Sequence, residues 1–123
     1  MYEPAVRYQI EYADQNESFA AFLPRNGTVA SMHWSSKGVG PWVLLALDVP
    51  FDYQFKIGEP YQYRGAVIDA FLIRSRWEGC NIGDLDGVSV SILLVEQGMR
   101  PIKHTIDVDD YVHIAWGTCR PMA

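Results

Sequence analysis

Basic stretches, close-spaced cysteine pairs, nucleotide-type glycine patterns and long apolar runs are all missing from this sequence. The 123 residues carry 10 Lys and Arg against 15 Asp and Glu, a net charge of −5. The shortage of cations is not confined to one segment. Residues 1–60 carry −3, residues 61–103 balance to zero, and the tail from His104 carries −2. Tracking a phosphate backbone requires clustered Lys and Arg, so general nucleic-acid binding is disfavoured. The two cysteines, Cys80 and Cys119, form no motif with each other and read as free thiols of a reducing compartment. The longest apolar run is a handful of residues, against the roughly 20 that a membrane helix needs. MYEPAVRYQIEY at the N-terminus has no charged region leading into an apolar one, so it does not read as a signal peptide. The expected location is therefore cytoplasmic, with no membrane partner. The triplets Asn16-Glu17-Ser18 and Asn26-Gly27-Thr28 carry no glycosylation reading in that setting.

The same shortages bound the chemistry. There is no nucleophile elbow, no phosphate-binding loop and no dinucleotide glycine pattern. The histidines are His33, His104 and His113. His104 and His113 with Cys119 lack the close ligand spacing of a zinc site. Asn81, Asp84 and Asp86 resemble a cation loop only loosely, without the closing glutamate of a calcium loop. Cys80 has no neighbouring base to lower its pKa. No cofactor and no metal are expected.

What is present is a single domain's worth of apolar sequence. Hydrophobic residues make up 49% and charged residues 20%, ordinary globular content. A chain of this length buries roughly two-thirds of its unfolded surface and needs no disulfide or metal for stability. Val6, Tyr8, Ile10 and Tyr12 alternate with Arg7, Gln9 and Glu11, the period of a half-buried strand. Ser18–Pro24 reads as a second strand, with a single helical turn as the alternative. Asn26-Gly27 between apolar runs is a hairpin signal, because both central turn positions favour positive φ. Thr28–Trp34 is the partner strand, and SSKGVGP (35–41) is a loop. Trp42–Val49 reads as a strand bounded by Pro41 and Pro50, and 51–60 as a connector.

The densest apolar sequence runs from Tyr61 to Val95: two strands joined by the reversal EGCNIGDLDG. The alternation places Ala66, Ile68, Ala70, Leu72, Arg74 and Arg76 on one face and Val67, Asp69, Phe71, Ile73, Ser75 and Trp77 on the other. Both faces are apolar at mid-strand, so this strand is expected to be covered on both sides. In its partner, Val88, Val90, Ile92 and Leu94 share a face, and the far end is the more apolar. A turn with Gly98 and Pro101 follows, and Val112, Ile114 and Trp116 form a last strand face. Seven or eight short strands without a confident helix predict one all-β domain over 1–123, an antiparallel sandwich or small barrel.

Three features carry functional readings. Arg74 and Arg76 lie two apart on one strand, and together with Arg64 they could line a cleft for a small anionic metabolite or nucleotide, at a subunit boundary if the chain is an oligomer. Asp69 inside an apolar strand needs a partner, since an unpaired buried acid costs several kcal/mol; a structural ion pair is the expected reading. The aromatic content is high, with four Trp and seven Tyr. Such residues are enriched at interface hot spots, and Tyr61, Tyr63, Trp77 and Tyr111 are the interface candidates. The leading expectation is a non-catalytic binding or interaction protein working as a homo-oligomer, with itself or another protein as partner. Small acidic β-proteins without catalytic motifs are frequent among virus-encoded structural and host-interaction proteins, an analogy at fold level. The alternative is a binder of a small anionic ligand at the arginines. Last comes an acid/base enzyme using Asp69 with His104 or His113.

Overall fold

The computed structural model describes residues 6–14, 16–38, 40–55, 65–75 and 87–122. Along the chain come β1 (Arg7–Asp14), the one-turn helix α1 (Glu17–Ala20), β2 (Arg25–Ser35), β3 (Trp42–Gln54), β4 (Gly65–Ser75), β5 (Val88–Glu96), β6 (Thr105–Ile106) and β7 (Val112–Pro121). A single 3-10 turn, Val108–Asp110, precedes β7. The sheet runs β1-β7-β5-β4-β3-β2, and β1 pairs again with β2, all antiparallel. Six strands thus close into a small barrel, which removes the open edges of a flat sheet. β6 pairs in parallel with Trp34 and Ser35, beyond the part of β2 that β1 covers.

The barrel interior is filled by Tyr8, Ile10, Val43, Leu45, Phe51, Tyr53, Ile68, Phe71, Ile73, Val90, Ile92 and Cys119, all nearly inaccessible. One end is plugged from within. Asn16 caps α1 by accepting from the Phe19 N–H at 3.0 Å and donates to the Ile114 carbonyl at 3.1 Å, tying the helix to β7. Phe19 then lies fully buried against Phe51, Tyr53 and Phe71, with ring centroids 5.6–6.4 Å apart. Arg25 holds this corner from outside. It donates to the Phe22 carbonyl at 2.8 Å and the Val49 carbonyl at 3.2 Å, and its guanidinium stands 4.6 Å from the Phe51 ring centroid.

A second, smaller cluster lies outside the barrel wall. Trp42, Leu44, Ala70, Leu72, Leu93 and Val95 face outward from β3, β4 and β5 and are covered by Ile106, Val108 and Tyr111. The expectation that the central strand is covered on both sides holds, and its cover is the segment joining β5 to β7.

Strict alternation fails where strands bulge. On β4 the register slips between Ile68 and Ala70, so Ile68 joins Phe71 and Ile73 inside while Ala70 and Leu72 face out. On β1 a slip between Ile10 and Ala13 turns Tyr12 to solvent and leaves only Tyr8 and Ile10 of the predicted face buried. On β7 a slip opposite Ile92/Leu93 puts Ala115 inside with Ile114, and Trp116 is only half-buried. Each extra residue inverts every later side chain, because the strand period is two.

Two local readings are corrected. Ser18–Pro24 is not a strand but begins in a helical turn, the alternative read from the sequence, and Asn26-Gly27 lies within β2 rather than at a hairpin tip. Gly27 is required for space: a Cβ there would stand 2.7 Å from the Ala46 carbonyl oxygen and 2.7 Å from Leu45 Cγ. Pro50 does not end β3 either. It sits in a bulge between Ala46 and Phe51, where the missing N–H breaks no ladder bond, and the strand continues to Gln54.

Removing the plug or filling the Gly27 space should each be costly. Phe19→Ala is expected to lower unfolding stability by about 3–5 kcal/mol, and Gly27→Ala by about 1–3 kcal/mol. Urea unfolding followed by tryptophan fluorescence measures both.

Candidate functional site

The outward cluster decides where the charged candidates lie. Arg74 follows Ala70 and Leu72 on the outer face of β4, half-buried, with its guanidinium 6.0 Å from the ring centroid of Trp42. At that distance the aromatic face attracts the cation. Of the predicted arginine cleft only Arg74 is described. Arg64 and Arg76 lie outside the described residues, as do Tyr61, Tyr63, Trp77 and Cys80. Cys119 is fully buried in the barrel.

Asp69 occupies the β4 bulge. Its carboxylate stands 3.4 Å from an Arg100 guanidinium nitrogen, which also donates to the Asp69 carbonyl at 3.4 Å. Arg100 thus answers one carboxylate oxygen, while the other, Oδ1, is buried without a hydrogen-bond partner among the described residues. The two histidines weighed with it contact other residues. His104 approaches the Met32 carbonyl at 3.5 Å, and His113 packs edge-on against Trp116 with centroids 5.4 Å apart. Partial burial lowers the His113 imidazole below its ordinary 6.5. No group of His, Cys, Asp and Glu that could hold a metal ion occurs among the described residues.

Tyr111 is the one interface candidate that the structure places. It closes the 3-10 turn by donating its N–H to the Val108 carbonyl at 3.2 Å, after Asp107 has capped the turn by accepting from the Asp109 N–H at 3.0 Å. The side chain packs on the outer cluster and also reaches the mouth of the barrel. There it borders a concave pocket of about 450 Å³. The floor is apolar: Phe55 from the end of β3, Leu94 from β5 and Val112 from the start of β7. The rim is polar and acidic, with Glu96, Asp110 and the Tyr111 phenol, and Met99 completes one wall. Burial, and then the charge of Asp110, raise the Tyr111 phenol above its ordinary 10.0. The phenol is therefore a neutral donor and acceptor throughout the physiological range.

This geometry stands without a template: no protein-family model, no curated protein and no solved structure matches the chain.

Of the seven described lining residues, only Tyr111 was a functional candidate in the sequence, and Leu94 and Val112 were read there as strand-face positions. The seven come from three strands and two ends of a connecting segment. No contiguous spacing announces them; the nearest signal is the Asp109-Asp110-Tyr111-Val112 phrase at the start of β7.

The phenol offers a direct check. Natural-abundance carbon NMR of the tyrosine Cζ resonances should place the Tyr111 midpoint above 10. Asp110→Asn should move it down without reaching 10.0, because burial is the larger cause. With the folded value raised, the Tyr111 contribution to stability is intact below pH 10 and is lost as pH climbs from there through the folded midpoint.

Proposed function

We propose that this protein is a non-catalytic binding protein that takes a small ligand at the mouth of its barrel. The observation carrying this reading is the pocket between Phe55, Leu94 and Val112 below and Glu96, Asp110 and Tyr111 above. Its volume of about 450 Å³ falls within the usual ligand-pocket range, and barrel mouths are a preferred place for such sites. An apolar floor under a carboxylate rim suits one kind of ligand, a compact hydrocarbon or aromatic body carrying a positive charge. The apolar body displaces water from the floor, and the cation answers Asp110, with the Tyr111 phenol as an additional acceptor. A small anion suits this mouth poorly, so an anion site at Arg74 would be a separate one.

Benzylammonium is a direct probe, with benzyl alcohol as its neutral counterpart. Heteronuclear NMR titration should show benzylammonium shifting the Leu94, Val112 and Tyr111 resonances, and benzyl alcohol binding several-fold more weakly. Asp110→Asn should remove most of that preference. Equal binding of the two probes would refute the charge assignment, and no shift with either would refute the pocket.

A second reading, self-association, is favoured by Met32 and Trp34. They stand two apart on β2, hence on one face, and remain 36% and 38% exposed. A contact between copies would cover them, and the partner would be this chain itself. Size-exclusion chromatography with light scattering at tens of micromolar should give a mass above 13.9 kDa that returns to the monomer in Trp34→Glu. A wild-type monomer at that concentration would remove this reading.

A further inference from the structure

β5 and β7 are neighbours whose ends meet: Leu94 pairs with Val112. A loop of about 2–5 residues would join strands placed like this. The chain instead follows Gln97–Tyr111, a strap laid over the outer faces of β3, β4 and β5 and pinned at β2. Ordering a long segment costs conformational entropy, so the pins matter.

They are specific. His33 is only 3% exposed and joins strap to barrel from the β2 side. Its Nδ1 lies 2.6 Å from the Lys103 carbonyl, which can only accept, so Nδ1 carries a proton and donates, and Nε2 lies 2.7 Å from the Ser31 hydroxyl. Beside it the Trp34 and Ser36 amides donate to the His104 and Ile106 carbonyls at 2.7 and 3.2 Å. At the other end Arg100 grips Asp69. Among the strap side chains Ile106 is buried, and Val108 and Tyr111 pack on the outer cluster, while Ile102 is 95% exposed and Lys103, His104 and Thr105 face solvent. A segment with so little buried area and so many main-chain bonds at its margin opens locally, at a lower free energy than the barrel beneath it.

The strap also builds the pocket. Met99 lies at its start and Asp110 and Tyr111 at its end, so both of its ends line the barrel mouth. We infer that His33 and Arg100, neither of which lines that pocket, are positioning residues for it: by pinning the strap they hold Met99, Asp110 and Tyr111 against the apolar floor. The inference rests on the pocket being a ligand site. Ligand binds the pinned form, so strap opening and ligand binding exclude each other. Apparent affinity then falls in proportion to the fraction of molecules with the strap in place.

Amide hydrogen exchange by NMR, with benzylammonium as probe, tests this on the full chain. Arg100→Ala leaves Asp69 on β4 without its cation, so protection at Phe71 and Ile92 serves as the check that the barrel is kept; His33→Ala, which leaves that pair in place, is the second variant. In Arg100→Ala the Trp34, Ser36 and Tyr111 amides should exchange faster by a common factor, while Phe71 and Ile92 in the barrel keep their protection. Where that factor leaves the strap substantially open, benzylammonium affinity should fall with it, and Arg100→Lys should restore part of both. In the wild type, benzylammonium at ten times its Kd should slow exchange of the strap amides about tenfold. Unchanged exchange at Trp34 and Ser36 would overturn the inference. So would strap exchange that wild-type saturation leaves unslowed, or benzylammonium binding of unaltered strength in a variant whose strap is mostly open. Wild-type protein that binds no benzylammonium would instead remove the pocket reading itself, and the positioning role with it.

Discussion

Closure of the sheet is the constraint from which the rest of this structure follows. Once β1 pairs with β2 on one side and β7 on the other, the six strands enclose a space that only side chains can fill. Every strand must then present large apolar groups inward over most of its length. The strands are long, up to the span Trp42–Gln54, and a twisted strand of that length cannot keep one face toward a curved interior. The bulges at Ile10/Ala13, Val29/Ser31, Ala46/Phe51 and Ile68/Ala70 resolve the conflict by resetting which side chains point in.

The bulges also organise what lies outside. At the β4 slip, Asp69 receives Arg100 from the strap. At the β3 bulge, Asp48 on the exposed corner forms an ion pair with Arg7, and the Val49 carbonyl accepts from Arg25. Irregular ladder positions leave polar groups that the regular sheet would have used, and arginines from neighbouring segments take them. The Arg7–Asp48 pair is partly exposed, so it contributes at most about 1 kcal/mol. The value of these contacts is in placement more than stability. Arg100 marks where the strap meets β4, and Arg25 holds the corner beside the helical plug.

The candidate site arises from the same arrangement. The end of the barrel beside the Phe19 plug has an apolar floor because the interior faces of β3, β5 and β7 all terminate there. Its rim is completed where both ends of the strap return to that mouth, Met99 at one and Asp110 and Tyr111 at the other. Function and cover are therefore built from one segment. The strap that shields Trp42, Leu44 and Leu72 on the outside supplies Asp110 and Tyr111 to the mouth.

Composition and local pattern were enough to determine an all-β fold, the positions of most strands, the double covering of β4 and the need of Asp69 for a partner. Those properties depend on which residues are apolar and how they alternate, and both are local. Tertiary structure alone decided barrel over sandwich, because closure depends on β1 meeting both β2 and β7, pairings between distant parts of the chain. It also decided the face of every residue beyond a bulge, since one inserted residue inverts the alternation without leaving a mark in composition. Gly27 shows the limit most plainly: its neighbour Asn26 suggests a turn, but the missing side chain makes room for the Ala46 carbonyl across the sheet. The mouth pocket was illegible for the same reason. Phe55, Leu94, Met99 and Val112 are far apart or unremarkable in sequence, and only the closed barrel brings them to one rim.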